Sequence, residues 1–503
     1  MSPGRPPAAI DTPAWVCDAV FYQVFPDRFA ASPRVPKPGA LEPWSAPPTN
    51  HGFKGGDLLG LAERLDELVD LGITALYLNP IFTAASNHRY NTYDFLSVDP
   101  LLGGDAALRE LLDAAHERGI RVVLDGVFNH VGRGYWPFHH VLENGGASPY
   151  RDWFYLDDGV LAGRRSLHAY DVPRGGSETE RGYRSWWDVP ALPKLRVEHP
   201  PVREHLFAVA EHWLGFGIDG WRLDVPQDVE DPTFWPEFRR RVRAANPDAY
   251  LIGEIWDEAP EWLEGDHFDA TMNYPLGLAI LGFVGGAALD AAVIAGQSNC
   301  ARALVELDGS AFGLALDRMH ALYDPAVTAV QFNLIGSHDT PRARSAMGGS
   351  AERLRLATLL QLTLPGAPSI YYGDELAMEG AADPDCRRAY PPRGDTLPAE
   401  AVAMRAFVRA TIRARHEHAA LRRGEVRVVA SGPHWIVLER RAGERQALVV
   451  ANAGDAAMRV DLGPVHSTAG MRLLDLPGTG AVIRPDGTSV ELAPFGGAVL
   501  VDD

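Results

Sequence analysis

The sequence predicts an α/β fold: a (β/α)8 TIM barrel with one inserted subdomain, followed by a small antiparallel β-sandwich. Three observations predict it. Short, continuously apolar runs alternate with amphipathic helical stretches over most of the chain, as in a parallel sheet covered by helices. Eight such runs occur, the number that closes a barrel. After about residue 420 the apolar period becomes two, the mark of half-buried antiparallel strands.

The elements follow in order. The first strand core is Val20–Phe25. "GGDLLGLAERLDELVDLG" then reads as a helix with Asp57 as N-cap, Leu61, Leu65 and Leu68 on one face, and Gly72 as stop. The second strand is Ile73–Asn79. "GDAALRELLDAAHERG" repeats the helix, with Asp105 as cap and Gly119 as stop, and the third strand is Val122–Val127. Residues 131–200 break the alternation; they are rich in Gly, His and aromatics (Tyr135, Trp136, Trp153, Tyr155, Trp186, Trp187) and read as a subdomain inserted on the catalytic side. Strands resume at Gly220–Val225, Tyr250–Ile255, Asp269–Tyr274, Gln331–Ile335 and Ser369–Tyr372. The uncharged run Thr271–Leu289 is broken by Pro275 and glycines, so it reads as a core helix and loop, not a membrane span. "EVRVVASGPHWIVLERR", "QALVVANAG", "MRVDLG" and "SVELAPFGGAVLV" supply the terminal sandwich. The expected division is 1–130 and 201–420 for the barrel, 131–200 for the insertion and 421–503 for the sandwich.

Composition excludes several functions. A net charge of −19 opposes nucleic acid and anionic membranes and admits a neutral partner. Cys17, Cys300 and Cys386 form neither a metal spacing nor a disulfide framework. The opening "MSPGRPPAAIDTPAW" lacks the apolar core of a signal peptide, so a cytoplasmic location is expected. Oligomeric state is left open.

Barrel enzymes place their chemistry at the C-terminal ends of the strands. There the third strand carries Asp125, Asn129 and His130, the fourth Arg222 and Asp224, the fifth Glu254 and Trp256, and the seventh His338 and Asp339; the second leads into His88 and Tyr90. Taken singly, each is an ordinary cap, ion pair or satisfied polar residue. Together they are not, because capping does not explain charges inside apolar strand ends at 222, 224 and 254. Arg222 and Asp224 are two apart and share a face. Three acids in one cavity suit glycoside hydrolysis, which needs one carboxylate and one protonated carboxylic acid. Arg222 is expected to hold Asp224 ionised.

"DGVFNH" (Asp125–His130), "GWRLDV" (Gly220–Val225), "GEIW" (Gly253–Trp256) and "SHD" (Ser337–Asp339) resemble, in order, the four motifs of the α-amylase superfamily of retaining glycoside hydrolases. "FYQVFPDRF" and "SIYYGDE" also look like it. "YRSWWDVPALPKL" and "DPDCRRAY" resemble its neopullulanase, cyclomaltodextrinase and maltogenic amylase branch, though without the N-terminal domain usual there. The resemblance implies Asp224 as nucleophile, Glu254 as general acid/base and Asp339 as the third carboxylate, binding ring hydroxyls. It implies Arg222 as the orienter of Asp224, His130 and His338 as donors to the sugar, Tyr90 stacked under it with His88 beside it, and Trp256 among the substrate contacts. Asp125 and Asn129 would support the site.

The implied function is cleavage of α-1,4 glucosidic bonds of maltodextrin-type oligosaccharides, with α-1,6 bonds as a further candidate. A transglycosylase or a sucrose or trehalose isomerase is the alternative on the same fold, and an inactive barrel serving as a binding subunit is the remote one. Pro226, Gln227 and Asp228 replace the branch's usual Ala-Asn-Glu near the acceptor sugar. "RFAASPRVPKPG" lacks the ligands of the calcium loop that often follows strand one, while the Asn129 carboxamide offers a second location. No cofactor is expected to be required, no residue is assigned to a metal, and calcium is left open.

Overall fold

The computed structural model describes residues 10–171, 176–462, 470–484 and 488–502. The first nine residues, part of the stretch read as lacking a leader, lie outside them. Eight parallel strands form the barrel: β1 (Phe21–Val24), β2 (Ala75–Leu78), β3 (Arg121–Gly126), β4 (Gly220–Leu223), β5 (Tyr250–Gly253), β6 (Ala270–Thr271), β7 (Phe332–Asn333) and β8 (Ala367–Tyr371). They neighbour one another in the order β6-β5-β4-β3-β2-β1-β8-β7. A parallel bridge between Met272 and Phe332 joins the two ends of that order. Each predicted strand core contains or overlaps one of these strands, because a strand covered on both faces must be apolar throughout. Phe21, Tyr77, Val123, Tyr250, Ile252 and Phe332 fill the interior, and the Phe21 and Phe332 rings meet edge to face at 5.1 Å.

Two helix expectations need correction. The stretch after Asp57 is not one helix but two, Leu58–Ala62 and Leu65–Leu71, broken at Glu63–Arg64. Its ends are as expected: the Gly60 amide donates to Asp57 at 2.7 Å, and Gly72 closes it at φ 98°. The next helix, Gly104–Glu117, is not capped by Asp105. The left-handed pair Gly103 and Gly104 (φ 100° and 68°) starts it two residues earlier, with Gly103 as the cap. The Asp105 carboxylate instead accepts the Val98 amide at 2.8 Å, at the end of the strand Thr92–Val98. Gly119 adopts φ 73° just past this helix.

Thr271–Leu289 contains the buried helix Tyr274–Gly285. Among the described residues no helix is long and apolar enough to cross a membrane.

The segment after β3 is stitched to the end of that strand by a bridge pairing His130 with Lys194, and a second bridge, Phe154 with Leu195, ties the segment to itself. Its own core is aromatic: Phe138 meets Phe154 at 5.0 Å and Tyr183 at 4.9 Å. Tyr135 is buried, Trp153, Tyr155 and Trp186 are partly buried, and Trp136 and Trp187 are exposed.

Beyond the helix Ala419–Arg423 the chain forms an antiparallel five-stranded sheet from Glu425–Gly432, Trp435–Ala442, Arg445–Asn452, Gly497–Asp502 and Met471–Leu473. A three-stranded sheet (Met458–Asp461, Ser489–Leu492, Val482–Ile483) shares an apolar core with it, including Val437, Leu448, Val450, Val490 and Leu500.

Candidate active site

Registry places the charged side chains. Asp125 on β3 pairs with Arg222 on β4. Leu223 pairs with Gly253 on β5, so Asp224 and Glu254 emerge side by side one residue further on. The two backbones stay laddered there: the Asp224 amide donates to Gly126 O at 3.1 Å and the Glu254 amide to Leu223 O at 2.9 Å. Arg222 and Asp224 do share a face. The guanidinium NH1 donates to Asp224 Oδ1 at 2.9 Å and to Asp125 Oδ1 at 2.8 Å. NH2 lies 2.9 Å from Glu254 Oε2. Arg222 is fully buried.

One guanidinium therefore serves three carboxylates. Burial pushes the Asp224 pKa well above the ordinary value; Arg222 pulls it down, while Glu254 and Asp125 raise it again. Burial raises Glu254 as well, against Arg222, and the negative charge of Asp339 adds to the rise. Both carboxyls are thus pushed toward the protonated form. Asp224 takes an aligned hydrogen bond from Arg222, whereas Arg222 NH2 makes none. Glu254 Oε2 also accepts the Val225 amide at 3.1 Å, and Oε1 accepts the Trp256 indole N–H at 3.3 Å. Val225 makes its contact from a left-handed backbone, φ 37°, unusual for a β-branched residue.

Asp339 stands differently. Burial works to raise its pKa, but the His338 and Arg387 charges outweigh that and hold it below the usual carboxylate range. His338 Nε2 lies 3.0 Å from Asp339 Oδ2, and Arg387 NH2 donates to Oδ1 at 3.2 Å.

Tyr90 links the two halves. Its hydroxyl donates to Asp125 Oδ2 at 2.8 Å and lies 2.6 Å from His338 Nε2. The Tyr90 ring stacks with His338 at 5.4 Å and with His88 at 5.9 Å. Burial lowers the His88 and His130 pKa values to about 3, so both imidazoles are neutral. His130 Nε2 is buried with no partner in the protein. Asn129 Nδ2 bonds His130 Nδ1 at 3.3 Å, and its Oδ1 is unpartnered. Trp256 stacks face to face on Tyr274 at 3.7 Å.

All eleven expected residues gather at the C-terminal mouth of the barrel. Four supporting residues were not expected. Gln23 Nε2 bonds His338 Nδ1 at 2.8 Å and Asn79 Oδ1 at 3.1 Å. The Tyr77 hydroxyl donates to Asp125 at 2.6 Å, and Tyr274 backs Trp256. A polar residue inside an apolar strand core, such as Gln23 in "FYQVF", was the available signal. Arg387 stood in a quoted motif without being singled out.

Comparison with known proteins identifies the family. Residues 23–396 match the family described as alpha amylase, catalytic domain. The chain belongs to that family. It is 39% identical over 490 residues to a cyclomaltodextrinase of Geobacillus thermopakistaniensis, covering 96% of this chain and 77% of that protein. Among solved structures it resembles Ttha1563 of Thermus thermophilus, with a TM-score of 0.88, 45% identity, and coverage of 97% and 100%. It also resembles the cyclic α-maltosyl-(1→6)-maltose hydrolase of Arthrobacter globiformis, with a TM-score of 0.83, 35% identity, and coverage of 98% and 100%. The protein is an enzyme, a glycoside hydrolase of the α-amylase type.

Proposed function

We propose that this enzyme hydrolyses α-1,4-glucosidic bonds of short maltodextrins with retention of configuration, and accepts α-1,6 bonds. The observation that carries the reading is the guanidinium of Arg222 shared by Asp125, Asp224 and Glu254, with Glu254 on the strand next to Asp224. Asp224 attacks the anomeric carbon while Glu254 gives its proton to the departing glycosidic oxygen. Glu254 Oε2 accepts the Val225 amide and Oε1 the Trp256 indole N–H, and these two bonds hold the carboxyl in place for the transfer. Glu254, now ionised, takes a proton from water, which attacks the glycosyl ester and frees Asp224. Asp339, kept ionised by His338 and Arg387, accepts ring hydroxyls and stabilises the oxocarbenium charge. His338, and His130 through its unpartnered Nε2, contact the sugar hydroxyls. Tyr90 and His88 line the floor, Trp256 keeps Glu254 oriented, and Asp125 and Asn129 brace the site.

The substrate class is supported by the names of the relatives, a cyclomaltodextrinase and a hydrolase of an α-1,6-containing cyclic tetrasaccharide. The proposal includes a cytoplasmic location, supported by the name of a relative, an intracellular maltogenic amylase of Bacillus subtilis. NMR of maltotriose hydrolysis, run faster than mutarotation, tests the mechanism. The α-anomer is the expected first product, and the β-anomer would overturn retention.

A further inference from the structure

Arg440 is fully buried where the C-terminal sheet meets the barrel, far along the chain from the catalytic mouth. It lies on the strand Trp435–Ala442. Side chains alternate along a strand, so Arg440 shares the face of Ile436 and Leu438, which belong to one core with the barrel-helix residues Leu362 and Leu421. Val426 and Ala447 are its partners on the two neighbouring strands. Arg440 NH2 donates to Gly424 O at 2.6 Å, at the end of the helix Ala419–Arg423. Its Nε and NH1 are buried with no hydrogen-bond partner in the protein.

Among the described residues no carboxylate relieves this charge. Glu439, next to it in sequence, points to the opposite face, where it accepts from Arg427 at 2.7 Å. Asp18, whose charge acts on Arg415, is taken by Arg422 and Arg423 at 2.8 and 2.5 Å. The charge that does act on Arg440 is that of Arg415, of the same sign. Burial and this neighbour push the Arg440 pKa well down, yet a guanidinium does not give up its proton in a protein. Two cations thus share an apolar joint. Arg415 is met there by five backbone carbonyls, and Arg440 by the one of Gly424. A buried charge is held only where it is paired and hydrogen-bonded. Water would satisfy the free N–H groups but leave the net charge standing. An anion does both. It must be small, because apolar side chains pack the joint, and Ala447 opposite Arg440 is the kind of neighbour that leaves it space. A single charge suffices, because one guanidinium lacks a counter-ion.

We propose that the uncommitted N–H groups of Arg440 bind a small monovalent inorganic anion, of the size of chloride, and that this anion fastens the C-terminal sheet to the barrel. Urea unfolding in sodium chloride and in sodium gluconate, at equal ionic strength, tests it. Gluconate is too large for the joint, and a ligand held only by the folded chain stabilises it by mass action. The wild-type midpoint should lie about 0.5 M higher in chloride at about 0.2 M salt. The difference should vanish in Arg440→Met, whose apolar side chain has no N–H to offer. Ion chromatography covers both an anion trapped in the fold and a variant that does not fold. Wild-type protein dialysed into gluconate and then unfolded in urea should release about one chloride per chain if the ion exchanges slowly. Either a chloride-dependent midpoint that is lost in Arg440→Met or this release supports the site. Midpoints within about 0.1 M of each other in the two salts, together with no released chloride, would overturn it. A chloride effect or a release of equal size in Arg440→Met would place the anion elsewhere and overturn it as well.

Discussion

Two of the fully buried arginines, Arg222 and Arg415, sit under opposite regimes. Arg222, at the barrel mouth, touches three carboxylates. Arg415, where the last barrel helices meet the C-terminal sheet, donates only to backbone carbonyls: Leu362 at 3.0 Å, Leu364 at 3.2 Å and Leu421 at 3.1 Å, with Gly366 and Arg422 in addition. Those oxygens lie at the C-terminal ends of the helices Ala351–Thr363 and Ala419–Arg423, whose dipoles favour a cation there. Burial pushes the Arg415 pKa down to about 10. Arg222, despite burial, is driven well above its ordinary value by Asp125 and Glu254. The contrast separates structure from chemistry. A buried guanidinium needs only carbonyl dipoles to sit in a fold. Surrounding it with more acids than it can neutralise makes sense only if one acid must keep a proton.

The largest expected effect probes that surplus. Asp224→Asn should lower kcat on maltotriose by roughly four to six orders of magnitude with the fold retained. Retention of more than a tenth of wild-type activity would reject Asp224 as nucleophile. The same variant should be more stable than the wild type at neutral pH. A carboxyl whose folded-state pKa is raised contributes stability below its ordinary value of 3.8 and loses it as pH rises. The gain from removing the charge should be about 1–2 kcal/mol near pH 7 and should shrink toward zero below about pH 4. Urea unfolding at both pH values measures it; a variant less stable than wild type at pH 7 would show that the site carries no surplus.

Much of this was legible in the sequence. Continuous apolar runs located all eight strands, and charges inside those runs located the mouth. The two-residue spacing gave Arg222 and Asp224, because alternation along a strand is local. It could not give the contacts of Arg222 with Asp125 and Glu254, which depend on register between neighbouring strands. Gln23, Tyr77 and Tyr274 escaped notice for a related reason: a tyrosine or a lone glutamine in an apolar strand reads as core until barrel closure brings its partner into reach. Asp105 misled because glycines at 103 and 104 start the helix without it.

The second prediction breaks the comparison from the other side. Arg415→Met should cost roughly 2–4 kcal/mol, by leaving buried helix-end carbonyls without donors. No acid is stranded, so the loss should be nearly constant from pH 5 to 8, and activity per folded molecule should stay within about twofold. Arg222→Met should behave oppositely. It strands three carboxylates, so its stability penalty should grow with pH as the carboxyls are forced to ionise. Parallel pH profiles for the two variants would erase the distinction.

The smallest expected effect concerns another buried cation, Lys54, and it bears on whether the enzyme needs a metal. Only three lysines occur in the chain, at 37, 54 and 194, and two of them serve the long loop after β1. The Lys54 ammonium is fully buried and donates to Pro43 O at 2.7 Å and Ala46 O at 2.8 Å, with Glu42 at 3.3 Å. Lys37 donates to Leu101 O at 2.6 Å and to Asp57 at 3.0 Å. The loop matters to the site: Asn50 O and Gly52 O accept from Asn87, next to His88. Loop oxygens of Pro43, Ala46 and Glu42 are thus gathered by the Lys54 ammonium, in the manner of Arg415 and its carbonyls, and a hard cation seeking about six oxygens would compete with it for the same atoms. We propose on this ground that activity does not depend on calcium. Activity in EDTA should remain within about a fifth of the untreated value, whereas Lys54→Met should raise KM through a loosened His88–Tyr90 floor. A complete, calcium-reversible loss in EDTA would show that a metal, rather than these ammonium groups, holds the enzyme in its working form.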